Sequence, residues 1–123
     1  MAKKLLFIED EAAIHKTLSD VLQQEGYETI SALDGEAGLQ RAQAEIPDLI
    51  LLDLILPKMN GFEVLQALKA DEKTKGIPVI ILTNLEQMEN VQKAIDLGAT
   101  TYLVKANYSL EEVVRKVEEA LES

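Results

Sequence analysis

Five polar residues at or beside the ends of short apolar runs have types and spacing that favour chemistry. Glu9 and Asp10 follow one run, Asp53 interrupts another, and Thr83 and Lys105 end two later ones. A carboxylate inside an apolar run needs a partner or a function, because burying it alone is costly. Crowded carboxylates raise one another's pKa, and a hard divalent cation removes that cost. Mg²⁺, which prefers carboxylate oxygens, retained waters and a phosphate oxygen, fits this set.

The same residues predict transfer of a phosphoryl group to a carboxylate. Asp53 is the predicted nucleophile, which would form an acyl phosphate. Asp10 and Asp53 are the predicted direct metal ligands, with Glu9 acting through water. Lys105 and Thr83 would neutralise oxygens of the transferring group. Singly, every residue except Asp53 has an ordinary structural explanation, such as a helix cap or a solvated lysine, so the prediction depends on all five occurring together.

The elements that must bring these residues together alternate short apolar runs with amphipathic stretches. Such runs are typical of strands covered on both faces. Five β/α units in succession predict an α/β fold, a doubly wound five-stranded parallel sheet of the flavodoxin-like (βα)5 kind, with strand order 2-1-3-4-5. Strands 1, 3, 4 and 5 are then neighbours, and their polar ends meet at one edge. The five runs are Leu5–Ile8, Tyr27–Ser31, Leu49–Leu52, Val79–Leu82 and Thr101–Val104.

Start and stop signals predict the helices between these runs. Gly26 and Gly98 are natural helix ends. Asp34 is a predicted cap, and Asn60 with Glu63, like Ser109 with Glu112, has capping-box spacing. The lone His15 is predicted to lie on the surface of the first helix. Apolar stripes mark the first helix at Ile14, Leu18, Val21 and Leu22, and the fourth at Met88, Val91 and Ile95.

Composition limits the classes of protein that the chain can belong to. Its 123 residues, 47% of them hydrophobic, suit a single domain over residues 1–123. A net charge of −10 argues against direct binding to nucleic acid and against docking on anionic lipid. The absence of cysteine excludes disulfides and thiolate metal sites. No apolar run approaches the roughly 20 residues that span a bilayer, so no membrane partner and a cytoplasmic location are expected.

With these residues in place, the chain resembles the receiver domain of response regulators in two-component signalling, and is chemotaxis-regulator-like. The resemblance covers essentially the whole chain. Its most specific part is the segment from Asp53 to Gly61, in which Pro57 and Met59 have the family's spacing. The motifs that carry it are FIEDE, which includes Glu9 and Asp10, then LILLDLILPKMNGFEVL around Asp53, then Thr83, Tyr102 and Lys105.

The resemblance implies a phosphoacceptor signalling domain. A sensor histidine kinase or a phosphotransfer protein would phosphorylate Asp53, with Mg²⁺ held by the acidic positions and by the backbone carbonyl of Ile55. Thr83 and Tyr102 would form a coupled switch that acts on an unidentified protein target or output domain. The domain would promote only its own phosphorylation and slow dephosphorylation, so it is not expected to be an enzyme.

Two positions depart from the family pattern. Asn84 follows Thr83 where the family usually has a small residue, and Ala106 follows Lys105 where it usually has a cis proline. A non-proline cis bond costs roughly 2.5–4 kcal/mol, so either the Lys105–Ala106 bond is trans and the loop differs, or the fold holds a strained bond.

Three other classes are weighed against this interpretation. A non-phosphorylated, interaction-only pseudo-receiver remains the realistic rival, and absence of Mg²⁺ binding would favour it. An aspartyl-phosphate hydrolase of the haloacid dehalogenase type expects a second Asp where Ile55 stands, and a cap domain as well. A dinucleotide-binding module expects glycines in the first strand–helix turn, where residues 9–12 carry none.

Overall fold

Strands and helices alternate along the chain in the computed structural model, which describes residues 2–122. A 3₁₀ turn, Lys105–Asn107, lies between the last strand and the last helix. The strands are β1 Lys4–Ile8, β2 Glu28–Ala32, β3 Leu49–Leu52, β4 Val79–Thr83 and β5 Thr101–Val104. The helices are α1 Ala12–Gln24, α2 Gly35–Glu45, α3 Gly61–Ala70, α4 Met88–Asp96 and α5 Leu110–Glu122. None of these helices combines the length and the apolar character needed to cross a membrane.

The sheet has the order β2-β1-β3-β4-β5, and every neighbouring pair is parallel. The predicted fold class and strand order are therefore confirmed. One strand is shifted by a residue, since β2 begins at Glu28 and not at Tyr27. The Tyr27 amide donates to the Leu22 carbonyl at the end of α1, so that residue still belongs to the helix terminus.

Two apolar layers cover the sheet, one on each face. Leu5 and Phe7 of β1 face the layer that contains residues of α1 and α5. Leu6 and Ile8 face the opposite layer, which contains residues of α2, α3 and α4. Successive side chains of a strand point to opposite faces, so β1 needs apolar residues at each of its four buried positions, 5–8. Each fully buried aliphatic side chain contributes about 1.5–3 kcal/mol, and this burial fixes the register of the strands.

The predicted caps hold the starts of the helices at the edge where the strands end, which we call the carboxyl edge. The Asp34 side chain accepts from the Ala37 amide at 2.7 Å. Asn60 and Glu63 form a capping box, with contacts of 3.0 and 3.2 Å. Ser109 and Glu112 make the equivalent pair of bonds at 2.9 and 3.2 Å. Gly26 and Gly98 have φ of +94° and +107°, a conformation that glycine adopts without strain.

The prediction that His15 lies on the surface is wrong. Its side chain is buried between α1 and the sheet, with a relative exposure of 6%. Its Nε2 lies 3.0 Å from the Ala32 carbonyl oxygen, and its ring centroid lies 4.6 Å from that of Phe7. A polar ring can be buried where a backbone carbonyl serves as its partner, and the helical position alone does not reveal that partner.

The stripe that predicted α4 does not lie in the core. Met88 and Ile95 are 78% and 43% exposed, and Ala94 is the buried residue of this helix. The helix exists and ends at Asp96, shortly before Gly98, as expected. Because α4 contacts the edge strand β5, a narrow part of its circumference is enough to close the core. Its larger apolar side chains are left on the surface.

Candidate functional site

The order of the strands places the predicted site residues around one point of the carboxyl edge. Asp53 follows β3, and its amide donates to the Ile8 carbonyl at the end of β1 at 3.0 Å. The Glu9 amide donates to the Ala32 carbonyl of β2, also at 3.0 Å. These backbone bonds extend the ladders by one residue beyond the strands, so the two carboxylates are held by the sheet itself.

Glu9, Asp10 and Asp53 form a cluster of carboxylates that could hold a metal ion. One oxygen from each lies within 4.8 Å of the others. Glu9 is completely buried and Asp53 is 5% exposed, while Asp10 lies open to solvent. The cluster thus combines two buried carboxylates with a third that is open to solvent.

Lys105 joins the buried carboxylates. Its Nζ donates to Asp53 Oδ2 at 3.0 Å and to Glu9 Oε1. A third carboxylate, that of Glu11, lies 3.9 Å from the same nitrogen. No sequence signal distinguished Glu11 as a site residue, although it directly follows Glu9 and Asp10 and carries the same type of charge. Lys105 is itself largely buried, so its charge is directed into the cluster.

The crowding of charges shifts the pKa values of the three central groups. Burial, followed by the neighbouring Asp53, raises the pKa of Glu9 from 4.5 to about 8. Burial alone would raise the pKa of Asp53, but its interactions with Glu9, Thr83 and Lys105 outweigh burial and lower it. Burial disfavours the charged form of Lys105, yet the two carboxylates raise its pKa. Asp53 is therefore the carboxylate that stays ionised, as a nucleophile must.

Two buried polar atoms of the site have no hydrogen-bond partner within residues 2–122. They are Glu9 Oε2 and Thr83 Oγ1. A buried polar atom left unpaired costs about 1–3 kcal/mol, so each is a position where a ligand would be stabilised. A carboxylate oxygen can accept a cation or a water bound to it, and a hydroxyl can donate to an anion. The donor set therefore fits a cation and a phosphoryl group together.

Thr83 and Tyr102 lie on neighbouring strands beside this cluster. Thr83 is the last residue of β4 and is fully buried. The Tyr102 hydroxyl donates to the Leu85 carbonyl at 2.8 Å, which ties β5 to the loop after Thr83. Burial, followed by the charge of Asp53, raises the pKa of Tyr102. The tyrosine is thus connected to the loop by a hydrogen bond and to the site by its electrostatic interaction with Asp53.

A family model decides what this arrangement is. The model described as the response regulator receiver domain matches residues 5–118. The chain belongs to the response regulator receiver family. Function as a phosphoacceptor signalling domain of two-component systems follows from that membership.

Several curated relatives of this receiver domain are transcriptional regulators. It is 42% identical over 114 residues to the DNA-binding dual master transcriptional regulator RpaA of Synechocystis, covering 93% of this chain and 47% of that protein. It is 37% identical over 121 residues to the alkaline phosphatase synthesis regulator PhoP of Bacillus subtilis, covering 98% and 49%. The chain therefore spans about half the length of the curated relatives it matches.

Solved receiver structures match the fold over nearly its full length. The chemotaxis protein CheY4 of Vibrio cholerae superimposes with a TM-score of 0.90 at 32% identity, covering 98% of this chain and 99% of that one. A CheY-like receiver domain protein from Methanospirillum hungatei gives 0.91 at 30%, covering 99% and 95%. The resemblance to chemotaxis regulators is thereby confirmed.

The segment between Asp53 and Gly61 packs tightly in the receiver domain. The Gly61 amide donates to the Leu54 carbonyl at 3.0 Å, and a Cβ on Gly61 would lie 2.3 Å from the Asp53 carbonyl oxygen. Only glycine fits at this point of α3. Lys58 has φ of +68°, in the left-handed region that non-glycine residues rarely adopt.

The loops after Thr83 and Lys105, which depart from the family pattern, have ordinary trans peptide bonds. Between residues 2 and 122 every peptide bond is trans, so the loop after Lys105 differs from the proline-containing one and forms a 3₁₀ turn. Lys105 nevertheless reaches both buried carboxylates. Asn84 is exposed next to the buried Thr83. Ile55 is 56% exposed, and its amide donates to Asp53 Oδ1 at 3.2 Å.

Proposed function

We propose that this receiver domain accepts a phosphoryl group on Asp53, assisted by Mg²⁺. The observation that carries the proposal is the buried Asp53 carboxylate, whose pKa is lowered by its neighbours, with Lys105 Nζ at 3.0 Å and two further carboxylates beside it. An interaction-only domain has no use for such a cluster, which costs free energy to assemble.

Mg²⁺ would be held by Glu9, Asp10, Asp53 and the backbone carbonyl of Ile55. When bound, the ion supplies positive charge for phosphoryl oxygens. The chain's own residues supply the rest. Lys105 holds a phosphoryl oxygen by a charge-assisted bond, and the unpaired hydroxyl of Thr83 donates to another. Asp53 forms a P–O bond as the bond from phosphorus to its donor breaks.

The donor in this proposal is a sensor histidine kinase or a phosphotransfer protein. Its phosphorylated imidazole loses the phosphoryl group to Asp53 and leaves as neutral histidine after taking up a proton. The domain accelerates only this transfer and the slow hydrolysis that ends the signal. It is therefore not an enzyme in the ordinary sense.

The signal would leave through the face formed by α4, β5 and α5. Thr83 and Tyr102 connect the site to this face, where Met88 and Ile95 are exposed. The receiver, one domain over residues 1–123 whose end residues lie outside the described part, would act on a protein target or output domain. Its charge of −10 is unsuited to direct contact with nucleic acid or anionic membrane, and a cytoplasmic location fits such a role.

Labelling of the protein tests the assignment of Asp53. Incubation with acetyl phosphate and Mg²⁺ should add the mass of one phosphoryl group, as read by intact-mass spectrometry. Asp53→Asn should abolish the addition, whereas Asp20→Asn, at an exposed position of α1, should not. Full labelling of the Asp53 variant would remove that residue from its role. Failure of the unaltered protein to bind Mg²⁺ or take up label would favour the interaction-only alternative.

Amide shifts test the proposed output face. Addition of beryllofluoride with Mg²⁺ should move amide signals over residues 84–98 and 101–105, because two states with different contacts are needed for a signal. Changes confined to α1 and α2 would contradict this assignment.

A further inference from the structure

Glu11 is a carboxylate beside the phosphoacceptor site that the phosphoryl chemistry described above does not use. It lies outside the cluster formed by Glu9, Asp10 and Asp53. Its Oε1 is 3.9 Å from Lys105 Nζ, which is too long for a hydrogen bond but close enough for an electrostatic interaction. No other ion pair or hydrogen bond of this side chain is present in the part of the chain that the structure describes. Any effect of this charge on the site is therefore electrostatic.

The local backbone does not need the side chain of Glu11. This residue is the N-cap of α1, yet its side chain makes no capping hydrogen bond. Its backbone carbonyl accepts from the His15 amide at 3.1 Å, which starts the helix without the carboxylate. Glutamate is also not among the residues that are preferred at this position. The helix therefore gains nothing from the carboxylate, which is left to act on the site.

Glu11 lies on the open side of the site. Its side chain is 58% exposed, whereas those of Lys105 and Asp53 are 11% and 7% exposed. Asp10 is also exposed, but it belongs to the group of carboxylates that a cation would neutralise. Lys105 neutralises Glu11 only in part, because the same ammonium group pairs with Asp53 and Glu9 at closer range. An incoming phosphodonor therefore meets a negative charge at position 11.

We propose that Glu11 is a selectivity residue of the phosphoryl transfer, which slows transfer from a donor according to the donor's negative charge. This inference rests on the proposed role of Asp53 as phosphoacceptor. As the P–O bond to Asp53 forms and the bond from phosphorus to the leaving group breaks, phosphoryl oxygens come within hydrogen-bond distance of Lys105 Nζ. An oxygen about 3 Å from Nζ lies no more than about 7 Å from Glu11 Oε1, because that atom is 3.9 Å from the same nitrogen.

Repulsion over this distance is large enough to measure. At an ionic strength of about 0.1 M, two like unit charges about 7 Å apart in water repel enough to lower a rate by a factor below about two. A donor with about two negative charges is thus slowed about threefold, and a donor with about one charge less than about twofold. At about 1 M salt the Debye length is about 3 Å, so both factors fall close to one.

A positioning effect of Glu11 on Lys105 would have the opposite sign. If Glu11 held the ammonium group in place, its removal would slow transfer. However, Lys105 Nζ has nearer partners in Asp53 Oδ2, at 3.0 Å, and Glu9 Oε1. The contact with Glu11 at 3.9 Å therefore contributes least to the placement of the ammonium group. Repulsion of the donor is the larger effect, so loss of the charge should accelerate transfer.

Two small donors of different charge test the proposal on the full chain with Mg²⁺ present. Acetyl phosphate carries about two negative charges near neutral pH and releases acetate, whereas phosphoramidate carries about one and releases ammonia. Intact-mass spectrometry gives the labelling rates. At about 0.1 M ionic strength Glu11→Gln should label about threefold faster than the unaltered protein with acetyl phosphate, and less than about twofold faster with phosphoramidate. Both ratios should approach one at about 1 M. Glu11→Asp keeps the charge and should label at the rate of the unaltered protein. Glu25→Gln removes an equal charge at the other end of α1, roughly 20 Å away, and should have no effect.

Several results would overturn the proposal. Slower labelling of Glu11→Gln with both donors would make Glu11 a positioning residue for Lys105. Equal acceleration with both donors, or acceleration that persists at about 1 M salt, would show a structural effect and not one of charge. An equal effect of Glu25→Gln would assign the change to the net charge of the chain. Labelling that Glu11→Gln leaves unchanged would refute this inference alone, whereas no labelling of the unaltered protein by either donor would refute the proposed function of Asp53 as well.

Discussion

Replacement of Glu9 by glutamine should change how the stability of the domain depends on pH. Burial raises the pKa of Glu9 to about 8 in the folded protein, against 4.5 for an ordinary glutamate. Between these values the folded state keeps a proton that the unfolded state has lost, so stability falls as pH rises. The contribution of Glu9 is fully present below pH 4.5 and is lost above about pH 8. The lowered pKa of Asp53 acts in the opposite direction, but below pH 3.8.

The size of the effect follows from the width of this interval. At about 1.4 kcal/mol per pH unit, the interval from 4.5 to about 8 corresponds to about 5 kcal/mol. This is an upper limit, since Asp53 and Lys105 titrate together with Glu9. About 2 kcal/mol or more should remain measurable between pH 5 and 8. Glutamine has the same shape and cannot ionise, so Glu9→Gln should flatten this part of the profile and be more stable at pH 8.

Urea unfolding at pH 5, 6, 7 and 8, with a chelator present and circular dichroism as the signal, measures this profile. The difference between Glu9→Gln and the unaltered protein isolates Glu9, because all other groups are common to both. Glu72→Gln, at a side chain that is 86% exposed, is the matched control and should parallel the unaltered protein. The reasoning is refuted if the unaltered protein and Glu9→Gln lose the same stability between pH 5 and 8. Saturating Mg²⁺ should reduce the difference, since a cation favours the ionised carboxylate.

Three further predictions concern the loops around the site. Ile55 and Leu85 are apolar and cannot orient a water, so the phosphorylated form should be long-lived, and Ile55→Asn with Leu85→Glu should speed its decay at least about tenfold after removal of the donor. An unchanged rate of decay in the double variant would refute this explanation. Tyr102→Phe removes the 2.8 Å bond to the Leu85 carbonyl, so urea unfolding should show a loss of about 0.5–1.5 kcal/mol and amide exchange over residues 84–87 should rise. Exchange equal to that of the unaltered protein would contradict it. Lys58→Gly relieves the strain of a φ of +68°, so it should raise the free energy of unfolding by about 0.5–1 kcal/mol and with it the urea midpoint. A lowered midpoint would show that the flexibility of glycine in the unfolded chain outweighs the strain.

Most of the fold, and the set of residues that meet at the site, were predictable from the sequence. Strand order follows from alternating β/α units, and the order alone brings Glu9, Asp53, Thr83 and Lys105 to one edge. These are backbone consequences, which do not depend on side-chain detail. The functional roles of the residues stay predictions until Asp53 is labelled.

The remainder could not be predicted because it depends on tertiary contacts. The period of α4 indicates a helix, but only its place over the edge strand decides that Ala94 is buried and Met88 is not. The contact between Glu11 and Lys105 depends on rotamers that no spacing encodes. Likewise, the loop after Lys105 could be trans or cis on sequence grounds, and the structure resolves it as trans.

The burial of His15 provides an NMR probe of the position of α1. It is the only histidine of the chain, which also has no tryptophan, so one imidazole supplies the whole histidine part of a proton spectrum. That ring lies against Phe7 of β1 and the Ala32 carbonyl of β2, close to where both strands enter the carboxyl edge. Its two carbon-bound protons sense the ring current of Phe7 and hence small movements of α1. A single pair of resonances, without isotope labelling, can therefore follow whether α1 shifts when the site is loaded.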